Sequence, residues 1–90
     1  MKKFLIDIRL EGLDNETRMK LLPREQELVK EMEQNGVIVN NFIKLDMSGI
    51  FMVMMASDFE DVHSILSTLP YYPYMKISII PVRVVNSINE

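Results

Sequence analysis

Asp7 and Arg9 are the residues of this 90-residue chain whose types and spacing best fit a chemical role. They lie two positions apart in a segment that alternates in polarity, so both side chains project from the same face of a strand. A carboxylate can take a proton from the carbon beside a carbonyl group, and a guanidinium can hold a substrate carboxylate through two hydrogen bonds. We therefore predict that Asp7 carries the proton and that Arg9 holds the anion.

Two further polar side chains are predicted to orient a ligand beside this pair. Asn40 and Ser78 belong to later β-rich segments, and both can donate hydrogen bonds. A structural interpretation is also open, in which the two charged residues form an ion pair at a subunit interface, joined by Lys44 or Lys76.

The other candidates for ligand contact are Met, His and Tyr side chains. Met52 and Met54 belong to an apolar run that suits either an adaptable pocket wall or a packed core. His63 is the one histidine and lies at the border of a buried helical stripe, where it contacts a ligand or simply packs. Tyr72 and the other two tyrosines either cover a pocket mouth or pack against a partner subunit.

No other catalytic pattern is present in the sequence. With no cysteine and a single histidine, the chain lacks the spacing of a metal site, and no glycine-rich phosphate loop or Ser-His-Asp set is found. Glu25, Glu27 and Glu31 have no spacing expected of a catalytic pair, so we interpret them as part of a solvated helix face. We expect no metal and no cofactor.

The amino-acid composition limits the classes of partner that this protein is expected to bind. The net charge is −3, which disfavours nucleic acid or an anionic membrane as the main partner, because both attract basic surfaces. The sequence has no apolar stretch long enough to cross a membrane and no signal-peptide cleavage pattern. We therefore expect a cytoplasmic protein whose partners are a small molecule and other copies of itself.

The residue pattern predicts a single domain over residues 1–90 with the element order βαββαβ. Strands are expected at residues 3–11, 37–45, 50–56 and 75–84. The first helix begins at Asp14 or Asn15, kinks or restarts at Pro23, and ends at Gly36. A turn at residues 46–49, with a positive φ at Gly49, joins the middle strands. The second helix begins with a capping box from Ser57 to Glu60.

This order is that of an α+β ferredoxin-like sandwich, a four-stranded antiparallel sheet with both helices on one face. The other sheet face should also be apolar, and exposing it to water would be costly. We therefore predict that two copies pack sheet against sheet as a homodimer. The side chains expected on that face are Leu5, Ile38, Phe42, Ile50, Met52, Met54, Ile80 and Val82.

Residues 66–75, with the sequence LSTLPYYPYM, resemble the muconolactone isomerase family, in which a helix ends in a Leu-Pro-aromatic-Pro-Tyr-Met segment. The resemblance extends to Val62 and His63, to Glu25 and residues 27–28, and to Asn35 and Gly36. It implies a dimeric α/β barrel, in some members assembled into a ring of dimers, with ligands bound between sheet and helices. It also implies isomerisation of a carboxylate-bearing unsaturated lactone without a cofactor.

Two functions remain open at this point. The first is a cofactor-independent isomerase that shifts a C=C bond of a small lactone or organic acid, which Asp7 and Arg9 favour. The second is a non-catalytic dimeric barrel that binds a small apolar ligand or serves assembly, which the methionine-rich third strand favours.

Overall fold

The architecture was obtained from a computed structural model, which describes residues 1–85. The predicted order βαββαβ and the α+β class are confirmed. The elements are β1 (Lys2–Leu10), α1 (Asn15–Gln34), β2 (Ile38–Ile43), β3 (Gly49–Ala56), α2 (Phe59–Leu66), a 3₁₀ turn (Tyr72–Tyr74) and β4 (Met75–Val82). Within this part of the chain, no helix has both the length and the apolar character that a membrane span requires.

The four strands form one antiparallel sheet in the order β2-β3-β1-β4. The two central strands, β1 and β3, thus have a hydrogen-bonded neighbour on each side. Asp7 pairs with Phe51 on β3 and with Ser78 on β4, and Phe51 in turn pairs with Phe42 on β2. Because directly paired residues project to the same side of a sheet, these four side chains form one row across it.

The hydrophobic core lies between the sheet and the two helices. Phe4, Ile6 and Ile8 of β1 are almost fully buried there, as are Val62 and Leu66 of α2. These three strand residues alternate with the exposed or half-buried ones of β1, which confirms the predicted faces of that strand.

The predicted faces of β2 and β3 are wrong in part. Met52 pairs with Ile6 and Met54 with Phe4, so both methionines lie in the helix-covered core. Ile38 and Ile50 lie on that side as well, since they pair with Met54 and Ile8. Strand β3 is apolar on both faces, so the alternation of its residues does not show which face is buried against the helices. The pairing of β3 with β1 determines that face.

The side of the sheet without helices is here called the uncovered sheet face. An irregularity in β2 between Ile38 and Asn40 lets the first of these residues enter the core while the second faces the opposite side. Half-buried and exposed apolar side chains dominate the uncovered sheet face: Leu5, Phe42, Phe51, Val53, Ile80 and Val82.

Helix α1 is continuous through Pro23, so the predicted restart is not found. The side chain of Asp14 caps its first turn by accepting a hydrogen bond from the Thr17 amide at 2.7 Å. At the other end Gly36 has a φ of +74°, which confirms the predicted left-handed stop.

Helix α2 begins one residue later than predicted. Asp58, rather than Ser57, accepts the capping hydrogen bond, which comes from the Asp61 amide at 2.8 Å. Asp61 reaches back to the backbone amide of Ser57 at 2.8 Å, so a reciprocal cap forms with two aspartates.

The β2–β3 turn also differs from the prediction. The positive φ, +63°, is at Met47 and not at Gly49. Gly49 is required for another reason, because a Cβ atom at this position would collide with the Ile8 carbonyl of the neighbouring strand β1.

Candidate functional site

The first candidate site is a shallow cavity on the uncovered sheet face. It has a volume of about 330 Å³ and is lined by Asp7, Arg9, Lys76, Ile77 and Ser78. Sheet pairing places Asp7 directly beside Ser78 and Arg9 directly beside Lys76. The structure therefore brings together three of the predicted site residues, the two charged ones and the serine.

Asp7 is already engaged by a cation of its own chain. The Nζ atom of Lys44 lies 2.7 Å from Asp7 Oδ1 and 4.6 Å from the centre of the Phe51 ring. The ammonium thus bridges from the end of β2 across β3 to β1, in a partly buried setting. The alternative interpretation paired Asp7 with Arg9 at a subunit interface, joined by Lys44 or Lys76, and the structure shows the contact of Asp7 with Lys44 within one chain. The rest of that interpretation stays a prediction.

The other predicted ligand contacts are dispersed. Asn40 faces the same side as Asp7 but lies in a neighbouring row, opposite Val53. Met52 and Met54 are 1% and 0% exposed on the helix-covered side of the sheet, so their predicted place on the uncovered sheet face is wrong. Their predicted contact with a ligand stays a prediction.

His63 and Tyr72 form a pair on the surface beside α2. The His63 Nδ1 atom lies 3.2 Å from the Tyr72 hydroxyl oxygen, and the two rings meet edge to face with centroids 6.5 Å apart. Neither residue lines the cavity on the uncovered sheet face or the second cavity described next. Their predicted role in ligand binding remains a prediction.

The second cavity lies between the sheet and α1 and has a volume of about 430 Å³. This volume is in the range of small-molecule sites. Most of its wall is apolar, and helix α1 contributes Glu25, Gln26, Val29 and Glu33. The apolar side chains of the wall are Ile8, Leu10, Val29, Ile43, Ile50 and Met75.

Glu25 is the chemically unusual residue of this cavity. It is only 8% exposed, and its Oε1 atom accepts a hydrogen bond from the Tyr71 amide at 2.9 Å. Burial away from water raises the pKa of Glu25, and the hydrogen bond from Tyr71 opposes that rise only in part. Among residues 1–85, this amide is the one donor that the carboxyl group contacts, which leaves Oε2 available to a ligand.

Tyr71, which also lines the cavity, fixes the position of this carboxyl group. Its hydroxyl donates to the carbonyl oxygen of Arg18 at 3.0 Å, so the tyrosine is anchored to α1 at a second point. Burial raises the pKa of the Tyr71 hydroxyl, and the negative charge of Glu25 adds to the effect. Both groups therefore keep their protons to higher pH than they would in water.

The prediction that Glu25 belongs to a solvated helix face is wrong. The sequence does carry a signal for its burial: it lies four residues after Leu21 and four before Val29, inside the apolar stripe of α1. A glutamate within the apolar stripe of a helix faces the core, because the apolar residues on either side of it turn that side of the helix inward. A search for pairs of acidic residues at catalytic spacing does not detect a single carboxyl group that acts alone.

The two cavities differ in what they can do chemically. The cavity at Asp7 offers charged groups in contact with solvent, whereas the cavity at Glu25 offers one buried carboxyl group in an apolar wall. A carboxyl group whose pKa is raised by burial can both accept and return a proton. Among the described residues, no cluster of three or more metal-ligating side chains was found.

Comparison with known proteins gives the family. The model of a family described as muconolactone delta-isomerase matches residues 3–87. No protein in the curated set is significantly similar to the chain in sequence.

Two solved structures share the fold. A crystal structure of muconolactone isomerase superposes with a TM-score of 0.79 at 22% identity, covering 96% of this chain and 94% of that chain. A 5-chloro-2-hydroxyhydroquinone dehydrochlorinase from Burkholderia phenoliruptrix, in complex with 2,5-dihydroxybenzoquinone, superposes with a TM-score of 0.67 at 18% identity, covering 97% of each chain. At these identities the likeness establishes the fold. Because the family model spans nearly the whole sequence, the chain belongs to the muconolactone delta-isomerase family.

Proposed function

We propose that this protein is a cofactor-independent isomerase that shifts a C=C bond in a small unsaturated carbonyl compound, with Glu25 as the proton carrier. The observation that carries the proposal is a nearly buried carboxyl group of raised pKa in the wall of an apolar cavity of about 430 Å³. A ligand in such a cavity lies against apolar side chains, and the wall holds the carboxyl group in place beside it. Membership of the muconolactone delta-isomerase family supports the same class of reaction.

The proposed reaction needs a single group that both accepts and donates a proton. Ionised Glu25 takes a proton from the carbon next to the conjugated system, and the electrons of the broken C–H bond move into an extended enolate. The carboxylic acid then returns the proton to a different carbon, which completes the double-bond shift. Atoms and electrons balance within the substrate, so the reaction consumes no co-reactant.

Tyr71 is proposed to keep the carboxyl group in the position that this transfer requires. Its amide holds Oε1 at 2.9 Å, so that Oε2 is the oxygen presented to the substrate carbon. The hydrogen bond from the Tyr71 hydroxyl to Arg18 fixes the tyrosine itself. A positioned base of this kind contributes about 10²- to 10⁴-fold to a proton-transfer rate.

The earlier assignment of proton transfer to Asp7 and anion binding to Arg9 remains a prediction. The ion pair of Asp7 with Lys44 favours a structural role, because one of its oxygens is already occupied by an ammonium group. The two assignments make opposite predictions for two conservative substitutions, Glu25→Gln and Asp7→Asn.

The test is the rate of double-bond isomerisation of muconolactone and its methyl ester, followed by proton NMR in D₂O. We expect Glu25→Gln to lower the rate about 10²- to 10⁴-fold while Asp7→Asn retains most of it. Glu27→Gln is the matched control on the same helix, because Glu27 is exposed and pairs with Arg24 at 2.8 Å. Loss of activity in Asp7→Asn with full activity in Glu25→Gln would transfer the reaction to the uncovered sheet face. No turnover by the unmodified protein would support a non-catalytic barrel.

We also propose that the protein is a homodimer formed through the uncovered sheet face. Six apolar side chains on that face meet water in the isolated chain: Leu5, Phe42, Phe51, Val53, Ile80 and Val82. A contiguous patch of this kind on one side of a sheet is typical of an interface. The Asp7–Lys44 ion pair lies within the patch and supplies a polar contact inside it.

A further inference from the structure

The cavity at Glu25 contains a second carboxyl group, from Glu33. The two glutamates are eight positions apart on α1 with Val29 halfway between them, so all three follow one line along the helix. Eight residues span about 12 Å of helix, so the two carboxyl groups belong to different ends of the α1 wall. Glu25 thus lies in the buried part of the cavity, and Glu33, which is exposed, lies at its rim.

The end of the helix adds to the negative potential at that rim. Glu33 belongs to the last turn of α1, which contains no basic residue. The carbonyl groups of a helix C-terminus carry a partial negative charge, and here no cation offsets it within the turn. The polar side chains that complete the wall, Gln26 and Asn41, are uncharged amides.

An anionic ligand would therefore meet the negative charge of Glu33 at the rim, and also that of Glu25 whenever this carboxyl group is ionised, as the proposed reaction requires. It would lose its hydration against an apolar wall while lying near these two glutamates, which both line the cavity. An uncharged ligand avoids both costs, and its carbonyl oxygen can accept a hydrogen bond from Gln26, Asn41 or protonated Glu25.

We propose that this cavity selects uncharged unsaturated carbonyl compounds, such as neutral lactones and cyclic enones, and rejects their carboxylate-bearing analogues. The proposal rests on the function proposed above and adds the substrate class. It also separates this chain from the compound in its family's name, because muconolactone carries a carboxylate group.

The test compares two ligands that differ only in charge. Muconolactone and its methyl ester are titrated into the unmodified protein by isothermal calorimetry at neutral pH and low salt. We expect the ester to bind about tenfold more tightly or better, with a difference that shrinks as salt screens the repulsion. Equal binding of the two compounds, tighter binding of the acid, or no binding of either at millimolar concentration would overturn the proposal.

Substitution at the rim isolates the charge effect. Glu33→Gln should reduce the preference for the ester several-fold, whereas Glu31→Gln, an exposed glutamate on the same helix that does not line the cavity, should leave it unchanged. Equal effects of the two substitutions would contradict the inference. The binding result is independent of turnover: an ester that binds but is not isomerised contradicts only the proposed reaction, and a preferred acid that is isomerised contradicts only the charge selection.

Discussion

At the scale of single residues, two carboxylates show how environment separates chemistry from structure. Asp7 is partly exposed and is paired with Lys44, whereas Glu25 is nearly buried and is held by one backbone amide. The ammonium group of Lys44 balances the charge of Asp7, whereas burial makes the Glu25 carboxylate a better proton acceptor. Sequence spacing favoured Asp7 because it lies beside an arginine, but the environment favours Glu25.

The raised pKa of Glu25 predicts a dependence of stability on pH. A carboxyl group that binds its proton more tightly when folded stabilises the protein below the unfolded pKa, near 4.5, and loses this contribution as pH rises through the folded value. In Glu25→Gln this titration is absent. We expect the melting temperature of the variant, measured relative to the unmodified protein, to increase between about pH 4 and pH 8.

Calorimetry or circular dichroism across this range measures the difference directly, and titrations common to both proteins cancel. Glu27→Gln provides the baseline, because Glu27 is an exposed residue of the same helix. A flat difference for Glu25→Gln, or one that decreases with pH, would show that the carboxyl group is not held in an environment that disfavours its charge.

At the scale of elements, the sequence correctly predicted those features that depend on interactions between residues close together in the chain. Three such features were predicted correctly: the helix cap at Asp14, the helix stop at Gly36 and the alternation of buried and exposed residues in β1. Each of them depends on neighbours in sequence. The buried face of β3 was not predicted correctly, because a strand that is apolar on both sides takes its orientation from its pairing with β1. The same reason explains why Met52 and Met54 were assigned to the uncovered sheet face.

The β2–β3 turn supplies a prediction at this scale. A Cβ atom at Gly49 would collide with the Ile8 carbonyl, so Gly49→Ala must push β3 away from β1 at the edge of the second cavity. We expect a loss of about 2–3 kcal/mol in unfolding free energy, measured by urea denaturation. Ser48→Ala, which removes only an exposed hydrogen bond to Asp46, should cost less than about 0.5 kcal/mol. Equal losses would mean that the two strands are not closely packed there.

At the scale of the whole molecule, the sheet divides the chain into two chemical regions. The helix side holds the core and the cavity at Glu25, and the uncovered sheet face holds an apolar surface crossed by the Asp7–Lys44 pair. The sequence predicted that surface correctly in Leu5, Phe42, Ile80 and Val82. The family resemblance implied a ligand site between sheet and helices, where this cavity lies, but Glu25 was not recognised as part of it, because its wall is formed by residues of several elements that meet only in the fold.

Ile80 provides the test of the proposed dimer. It is 52% exposed in the isolated chain, so the fold should tolerate Ile80→Asp. A twofold interface would bury two copies of the substituted residue, and the loss of apolar contact with burial of two carboxylates should weaken the dimer about 100-fold or more. Met19→Asp is the matched control, because Met19 is 67% exposed on α1, on the other side of the molecule. In sedimentation velocity at micromolar concentration we expect dimers for the unmodified protein and for Met19→Asp, and monomers for Ile80→Asp. A monomeric unmodified protein, or a dimer that persists in Ile80→Asp, would contradict association through this face.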